Sequence, residues 1–261
     1  MVTPSRYHSA VARKRRRLDA EVTARGLAPS PERAQALILA GKVRVDGRVE
    51  TKAGTAVEPM TVIEVETPEH PYSSRGGLKL EAALDAFGID PSGMDCLDVG
   101  ASTGGFTDLL LARGAARVIA LDVGRGQLDW KLRSDPRVVV MEGINARRLG
   151  ADDLPFTVDL ATVDVSFISL RLVVPAVLPH VRPGGLLVCL VKPQFEAARE
   201  DVGDGGIVRD EAVRRRVIDE TVAAIDALGL ERLGLVASPI RGQKGNLEEL
   251  AGWRVPARPE K

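Results

Sequence analysis

Residues 98–106 read Asp-Val-Gly-Ala-Ser-Thr-Gly-Gly-Phe, a glycine-rich run that begins with an acidic residue. A short strand-like run beginning at Asp95 precedes it, and an apolar stretch with helical spacing follows from Thr107. A strand that ends in an acidic residue, turns on glycines and opens a helix is the ligand-binding corner of a doubly wound α/β sheet, because glycine lets a ligand approach the backbone closely. The chain is therefore predicted to contain a Rossmann-like sheet with a ligand at this corner.

The spacing of this corner narrows the kind of ligand. Dinucleotide-binding corners read Gly-x-Gly-x-x-Gly, whereas Ser102 stands here at the middle glycine position and the pattern is Asp-x-Gly-x-x-x-Gly-Gly. This departure disfavours a pyrophosphate and favours S-adenosylmethionine, which has no phosphate to bind.

The same residues also fit the Gly-x-Ser-x-Gly nucleophile elbow of hydrolases, with Ser102 as nucleophile. That fold needs a histidine late in the chain, after its acidic residue. The histidines are His8, His70 and His180, and at least two predicted strands follow His180. The cofactor loop is therefore favoured, and Ser102 is predicted to be part of that loop.

Charge is unevenly distributed along the 261 residues, although the chain as a whole is neutral. Residues 1–52 contain 12 Lys/Arg and 5 Asp/Glu, whereas the remainder contains 24 and 31. The N-terminal fifth is therefore a basic module on an acidic body. Its most basic run, residues 13–17, fits a solvated surface and a nucleic-acid contact equally well.

The cysteines and the hydropathy of the chain indicate where in the cell the protein is located. Cys96 and Cys189 each lie in an apolar run, which predicts buried, reduced thiols and a cytoplasmic protein. No apolar segment approaches the roughly 20 residues that span a bilayer, and the basic N-terminus lacks the apolar stretch of a secretory signal. We expect no membrane contact and no metal ion.

Four regions can be distinguished along the chain. Residues 1–14 predict a flexible basic tail, residues 15–66 two helices and a hairpin, and residues 67–74 a linker with two prolines and two serines. Ser30 and Pro31 predict the start of the second helix, and Asp46-Gly47 predicts the hairpin turn. In residues 75–256 strand and helix signals alternate as in a parallel sheet. Its predicted strands are residues 95–99, 117–121, 137–141, 159–163, 186–191 and 232–237, and its longest predicted helix is 210–228.

Asp122 ends the second of these strands, 18 residues after Gly104. In nucleoside-binding doubly wound folds an acid about 20 residues past the glycine turn accepts hydrogen bonds from the ribose hydroxyls. Asn145, beyond the third strand, fits a contact with the adenine edge and a helix N-cap equally well. The predicted cofactor-binding residues are Asp98, Gly100, Ala101, Ser102, Thr103, Gly104, Gly105, Phe106, Asp122, Val123, Asn145 and Asp164.

Two charged residues follow strands that should end beside the glycine corner. Asp164 comes after the fourth predicted strand and Lys192 after the fifth, and the carboxyl ends of parallel strands line one crevice. Lys192 ends an apolar run and precedes Pro193, an unusual place for a lysine without a function. Lys79 and Glu248 are further candidates, although each alone fits an ordinary surface charge.

Several segments together resemble the TlyA family, in order along about residues 15–253. They are residues 74–80 (Ser-Arg-Gly-Gly-Leu-Lys-Leu), 98–106, 164–170 (Asp-Val-Ser-Phe-Ile-Ser-Leu), 191–196 (Val-Lys-Pro-Gln-Phe-Glu) and 245–248 (Gly-Asn-Leu-Glu). The joint presence of these segments is far more specific than one glycine loop.

This resemblance implies an rRNA cytidine 2'-O-methyltransferase with an FtsJ-like class I methyltransferase domain. It implies S-adenosyl-L-methionine as cofactor, ribosomal RNA within a ribosomal subunit as partner, and an αL domain, like that of ribosomal protein S-four, at residues 15–66. The implied catalytic tetrad is Lys79, Asp164, Lys192 and Glu248. The basic residues expected to contact RNA are Arg15, Arg16, Arg17, Arg33, Lys42, Arg44 and Arg48.

The chemistry of the reaction calls for such charged residues. A ribose hydroxyl is a weak nucleophile, so it must be polarised or lose its proton as it attacks a sulfonium methyl. Lys192 is the predicted contact of that hydroxyl, with the two acids balancing its charge. Methyltransferases of base amines carry Asn-Pro-Pro-Tyr or Asp-Pro-Pro-Tyr after the fourth strand, and residues 164–167 lack these prolines. Two alternatives stay open, a ribosome assembly factor without turnover and, less favoured, a haemolysin.

Two features depart from the family pattern. The linker reads Arg-Ala-Trp-Val in some relatives and His70-Pro71-Tyr72-Ser73 here. The chain ends soon after Trp253, without the helical extension of members that act on both ribosomal subunits, which favours the large subunit. The target nucleotide is expected to be extruded from its stack to reach the site.

Overall fold

The computed structural model describes residues 15–28, 30–66 and 70–257, and the chain divides into two units, residues 1–69 and 70–261. The predicted basic tail, residues 1–14, lies outside the described residues, as do residues 67–69 of the predicted linker. The remaining linker residues, 70–74, form no helix or strand and belong to the second unit.

The first unit contains the predicted helices and hairpin, packed on a small apolar core. Ser30 caps the second helix as predicted, because its hydroxyl accepts a hydrogen bond from the Arg33 N–H at 3.2 Å. The hairpin turns at Asp46 and Gly47, which both have positive φ. The elements are α1 (Leu18–Ala24), α2 (Pro31–Leu39), β1 (Arg16–Arg17), β2 (Val43–Val45), β3 (Arg48–Glu50), β4 (Ala56–Val57) and β5 (Ile63–Val65).

These strands form two antiparallel sheets, one in the order β3-β2-β5 and one that pairs β1 with β4. The pairing of β1 with β4 was not predicted, because two residues are too few to show an alternating pattern. Eight buried apolar residues form the core of this unit: Leu18, Val22, Ala28, Ala34, Ile38, Val43, Val57 and Ile63.

The second unit is a seven-stranded sheet with helices on both faces, in the strand order β11-β12-β10-β9-β6-β7-β8. Its helices are α3 (Gly76–Phe87), α4 (Gly105–Ala112), α5 (Trp130–Arg133), α6 (Leu170–Val177), α7 (Pro193–Glu196) and α8 (Glu211–Asp226). Its strands are β6 (Asp95–Val99), β7 (Arg117–Asp122), β8 (Val138–Glu142), β9 (Val158–Val163), β10 (Val181–Val191), β11 (Glu231–Ala237) and β12 (Glu249–Arg254). The six predicted strands are confirmed, with most ends within one residue; β10 begins five residues earlier than predicted.

The expectation of a parallel sheet is wrong at one edge. The unpredicted strand β12 lies between β10 and β11 and runs antiparallel to both, so the sheet is mixed. Its sequence, Glu-Leu-Ala-Gly-Trp-Arg, contains no β-branched residue and has a glycine inside, which weakens a strand pattern. Gly252 is needed there, because a Cβ at this position would lie 2.6 Å from the Phe87 ring.

The strand order places the carboxyl ends of β6 and β9 side by side. From β6 the chain continues outward to β7 and β8, whereas β9 and β10 extend the sheet in the opposite direction. The crevice at such a reversal is where open α/β sheets bind ligands. Val99 pairs with Val163, so the glycine corner after β6 and Asp164 after β9 meet at this crevice.

Candidate active site

The glycine corner is held against the neighbouring strand. Gly100 has φ +86°, and a Cβ at this position would lie 2.3 Å from the carbonyl oxygen of Asp164, so a larger residue does not fit. The Gly100 and Ala101 N–H groups both donate to the Leu121 carbonyl, at 2.8 and 3.1 Å. These hydrogen bonds fix the backbone of Gly100 and Ala101 against β7, while both residues line the crevice.

Asp98 lies beneath this corner and does not line the cavity. Its carboxylate is fully buried and accepts hydrogen bonds from the N–H and the hydroxyl of Thr107, at 2.9 and 2.7 Å. Burial raises the pKa of Asp98 to about 7. Asp98 therefore joins the end of β6 to the first turn of α4.

Asp122 braces the corner from the end of β7. Its carboxylate accepts hydrogen bonds from the Ser102 N–H at 2.8 Å and from the Gly124 N–H at 2.6 Å. Ser102 has φ +49°, and its side chain is exposed at the turn of the loop. The adjacent Val123 is 70% exposed, an uncovered apolar side chain beside the corner.

Asn145 lies away from the cavity. It is exposed, and its side-chain oxygen accepts a hydrogen bond from the Arg147 N–H at 3.1 Å, so it caps the short 3-10 helix Ala146–Arg148. The structure therefore contains the N-cap that the sequence allowed. The alternative role, a contact with the adenine edge, stays a prediction.

A cavity of about 660 Å³ opens beside the corner, and all four predicted catalytic residues line it. Of the predicted cofactor-binding residues, Gly100, Ala101, Ser102, Thr103, Gly105, Phe106 and Asp164 line this cavity. Asp98, Gly104, Asp122, Val123 and Asn145 do not. The glycine corner and the charged residues thus share one space, although residues 79 and 248 lie far apart in the sequence.

The four charged residues form two ion pairs. Lys79 Nζ lies 2.5 Å from Glu248 Oε2, and Lys192 Nζ lies 2.5 Å from Asp164 Oδ1. The side chains of both lysines are 11% exposed, and Glu248 is more deeply buried, at 2%. Burial of Lys79 and Glu248 excludes water and strengthens their pair, because the local dielectric is low, whereas Asp164 is 22% exposed, so the second pair is partly open to solvent.

Sequence reasoning missed two polar side chains, each of which hydrogen-bonds one of these pairs. The Lys192 ammonium donates to the Ser166 hydroxyl at 3.0 Å, and the Gln194 amide donates to Glu248 at 3.2 Å. Gln194 thus links the turn after β10 to the Lys79–Glu248 pair. Ser166 and Gln194 lie within segments 164–170 and 191–196, which carry the family resemblance. That resemblance could have indicated a functional role for both residues.

Two phenylalanines at the cavity were also missed. Phe167 is 91% exposed and has φ +64°, an unusual backbone conformation for an aromatic residue. Its ring lies 4.9 Å from the Phe195 ring, at an angle of 49°. An exposed aromatic side chain held in a strained turn at a cavity indicates a contact surface for a planar ligand.

Glu196 fixes the far end of the loop that carries Phe167. Its carboxylate accepts hydrogen bonds from the Ser169 hydroxyl at 2.6 Å and from the Leu170 N–H at 2.7 Å. Burial raises the pKa of Glu196. Segment 192–196 therefore holds both ends of loop 164–170, through Lys192 at the start and Glu196 at the end.

Residues 70–74 pack beside the glycine corner. The backbone N–H and the hydroxyl of Ser73 both donate to Asp108 in α4, each at 2.8 Å. The Tyr72 hydroxyl donates to Glu81 in α3 at 2.6 Å. A Cβ on Gly105 would lie 2.2 Å from the Ser74 hydroxyl oxygen, so this segment touches the helix that the corner opens.

The basic residues predicted to contact RNA are exposed on the first unit, and several are paired with acids. Arg15 lies 3.0 Å from Glu58, Arg16 3.5 Å from Glu21, Arg17 2.7 Å from Asp19 and Lys42 2.9 Å from Glu66. Arg44 donates to the Gly47 carbonyl, and Arg33 and Arg48 lie on α2 and β3. The surface is therefore less positive than the basic run alone suggests, and its contact with RNA stays a prediction.

Across the part of the chain that the structure describes, no helix is both long and apolar enough to cross a membrane.

Known proteins that are similar to this chain include methyltransferases, in agreement with the cofactor corner and the charged residues of the cavity. The model of the FtsJ-like methyltransferase family matches residues 72–254, and that of the S4 domain matches residues 16–63. The 16S/23S rRNA (cytidine-2'-O)-methyltransferase TlyA of Mycobacterium tuberculosis is 49% identical over 236 residues, 90% of this chain and 88% of that protein. Hemolysin A of Brachyspira hyodysenteriae is 43% identical over 243 residues, 92% of this chain and 100% of that protein.

A solved structure described as a hemolysin from Streptococcus thermophilus is similar over most of the chain. It is 40% identical, with a TM-score of 0.70, and the match covers 95% of this chain and 92% of that one. The match to the family model spans the glycine corner and all four charged residues of the cavity. The chain therefore belongs to the TlyA family of FtsJ-like methyltransferases.

Proposed function

We propose that this protein uses S-adenosylmethionine to methylate the 2'-hydroxyl of a cytidine in ribosomal RNA. The observation that carries the proposal is the pair of buried lysine–carboxylate contacts, Lys79–Glu248 and Lys192–Asp164, in the cavity beside the glycine corner. The rRNA cytidine-2'-O-methyltransferase of M. tuberculosis, at 49% identity, supports the same reaction and substrate.

The residues of the corner fit S-adenosylmethionine. Gly100 lines the cavity, whereas Ser102 stands where a dinucleotide-binding loop has the glycine that lets the backbone approach a pyrophosphate. Asp122 would hold the ribose hydroxyls, since each of its oxygens has a lone pair beyond the backbone bond that it already accepts. Val123 would cover the adenine ring. When bound, the cofactor supplies an electrophilic methyl group on a sulfonium centre.

Lys192 orients the hydroxyl that receives the methyl group. Its ammonium has three N–H donors, of which one faces Asp164 and one faces Ser166. The third is available to the ribose oxygen in the cavity. The hydroxyl oxygen accepts this N–H, and the proton that the hydroxyl releases passes to the Asp164 carboxylate and from there to solvent, while Lys79 and Glu248 keep the surroundings of this pair neutral.

Phe167 would support the target base. An extruded cytosine has an exposed π face, and stacking on an aromatic side chain is worth about 1–3 kcal/mol per base. The Phe167 ring is solvent-exposed next to Lys192, where the base of the target ribose would lie. Asp98 and Glu196 act as positioning residues, since they hold the corner and loop 164–170 without lining the cavity.

The first unit would bind ribosomal RNA. Its exposed arginines and Lys42 suit contacts with phosphates and RNA shape rather than base sequence, so binding should weaken as salt increases. A protein with these activities would act in the cytoplasm, where ribosomes are. Arg15 and Arg16 are exposed and pair with Glu58 and Glu21. On binding RNA, these arginines would exchange their carboxylate partners for phosphates.

Incubating purified small and large ribosomal subunits with labelled cofactor, and then mapping the label, tests the proposal. We expect label on the 2'-oxygen of a cytidine, and the comparison of subunits identifies which one is the substrate. Label on a base nitrogen or carbon would contradict the proposed acceptor. If the cofactor binds but neither subunit is labelled, the assembly-factor alternative replaces the enzyme; leakage of liposomes on addition of the protein would favour the haemolysin.

A further inference from the structure

The residues that line the cavity carry a net positive charge, although the two lysine–carboxylate pairs are each neutral. Beside the two ion pairs, three cationic residues line the cavity: Arg75, Arg241 and Lys244. The lining contains no acid other than Asp164 and Glu248, and each of these is already paired with a lysine. Three positive charges therefore remain in excess at this mouth.

This local excess opposes the charge of the rest of the unit. Residues 70–257 contain 22 Lys/Arg and 26 Asp/Glu. A positive mouth on a negative body focuses the field on one site and attracts an anion to it. The cofactor itself does not explain the excess, because its sulfonium and ammonium outweigh its carboxylate and give it a net positive charge.

The three rim side chains are free to bind a ligand. All three residues are exposed, and within the described residues neither the Arg75 nor the Lys244 side chain makes a hydrogen bond or ion pair. Arg241 donates from Nη1 to the Gly245 carbonyl at 3.0 Å, which leaves its other N–H donors available. Most other arginines of this unit are instead paired with carboxylates, as Arg117 is with Asp95 and Arg214 with Glu249.

The loop that carries Arg241 and Lys244 is fixed by hydrogen bonds of the buried Asn246 side chain. Asn246 is only 2% exposed; its amide donates to the Gly206 carbonyl at 2.8 Å, and its oxygen accepts from the Val208 N–H at 3.1 Å. Two glycine-containing loops, residues 203–208 and 240–247, are thereby joined at the rim. Lys244 has φ +65°, a backbone conformation that glycine favours and that costs conformational energy for a lysine.

We infer that Arg75, Arg241 and Lys244 form a phosphate-binding rim for the RNA strand on either side of the target nucleotide. The inference rests on the proposed function, because the 2'-hydroxyl at Lys192 brings the phosphodiester groups of its own strand to the mouth of the cavity. Arginine suits phosphate through two parallel N–H donors, and lysine binds it as a point charge. The rim is thus a second RNA contact, separate in the chain from the basic first unit.

The salt dependence of binding tests this rim without relying on catalysis. Affinity for each ribosomal subunit is measured over a range of salt concentrations for the full chain and for Arg75→Gln, Arg241→Gln and Lys244→Asn. Asparagine tolerates positive φ, so Lys244→Asn removes the charge without adding backbone strain. Each loss of a phosphate contact should lower the slope of log affinity against log salt by about 0.7–0.9.

Matched variants separate a phosphate contact from a general disturbance. Lys244→Arg should keep the slope of the original chain, and so should Arg215→Gln, which removes an exposed arginine of α8 outside the cavity. Unchanged slopes in all three rim variants would overturn the inference, whether or not the protein methylates RNA. Failure of the original chain to label either subunit, with the slopes lowered as expected, would instead refute the proposed reaction and leave the rim standing.

Discussion

Lys192 and Asp164 end neighbouring parallel strands and meet with 2.5 Å between the ammonium nitrogen and a carboxylate oxygen. The register that pairs Cys189 of β10 with Val163 of β9 brings both strand ends to the same edge of the sheet. The same edge receives the glycine corner after β6 and the Lys79–Glu248 pair. The arrangement of the strands thus places an orienting lysine and a cofactor corner at one cavity.

Replacing Phe167 with alanine should weaken substrate binding. Since stacking contributes about 1–3 kcal/mol, we expect KM for the ribosomal subunit to rise about 5- to 150-fold, with Phe167→Tyr close to the original protein. The side chain is 91% exposed, so the free energy of unfolding should change little. Steady-state methylation kinetics measure the effect, and an unchanged KM would show that the ring does not support the base.

Glu196→Gln should loosen the loop that carries Phe167 while leaving the cofactor corner intact. An amide cannot accept both the Ser169 hydroxyl and the Leu170 N–H in the same geometry as a carboxylate. We expect methylation by the variant to fall about 10-fold or more, with the cofactor affinity within about twofold of the original. Glu200→Gln, in the exposed turn at Arg199–Asp201, is the control. Equal losses in cofactor affinity and methylation would point instead to a general disturbance.

Asp122→Asn should weaken cofactor binding. The carboxylate holds the backbone at Ser102 and Gly124, and it is the proposed acceptor of the ribose hydroxyls. Hydrogen bonds to charged groups are worth about 1.5–3 kcal/mol, so calorimetry should show affinity for S-adenosylmethionine about 10- to 100-fold lower. Asp152→Asn, at an exposed position, should bind normally; a normal affinity in Asp122→Asn would remove this residue from the site.

The buried Asp98 should make stability depend on pH. The folded chain keeps the Asp98 proton up to about pH 7, whereas an ordinary aspartate has a pKa of 3.8. The unfolded state therefore binds fewer protons between these values, and the free energy of unfolding should fall as pH rises through this window, by on the order of 4 kcal/mol. In Asp98→Asn, denaturant unfolding at several pH values should show this part of the slope lost; an unaltered slope would contradict the raised pKa.

Much of the fold could be predicted from the sequence because the informative residues are local. The run from Asp98 to Phe106 contains its own strand end, glycine turn and helix start, and Ser30-Pro31 contains its own cap. Strand β12 was missed because its identity depends on two partner strands, and one of them, β10, lies much earlier in the chain. Its glycine and tryptophan form a strand only when β10 and β11 lie on either side.

The site was predicted less completely, for a physical reason. Charged residues at strand ends are visible in the sequence, but which atoms they face depends on tertiary contacts. The Asp98 carboxylate bonds Thr107 and does not line the cavity, and Asn145 caps a short helix, while its contact with the adenine edge stays a prediction. The positive φ of Phe167 and the bonds of Glu196 leave no mark in a single sequence, although both residues lie within segments that carry the family resemblance.

Single-turnover methylation by Lys192→Ala, with ribosomal subunits and labelled cofactor in excess, tests whether Lys192 acts on the hydroxyl that receives the methyl group. Calorimetry on the same preparation first establishes that the cofactor still binds within about twofold of the original affinity. We then expect the rate of label transfer to the cytidine 2'-oxygen to fall by roughly 10²–10⁴-fold, the usual loss when a proton-handling residue is removed. A variant that binds cofactor and transfers label at the original rate would contradict the assignment of Lys192 to the reacting hydroxyl.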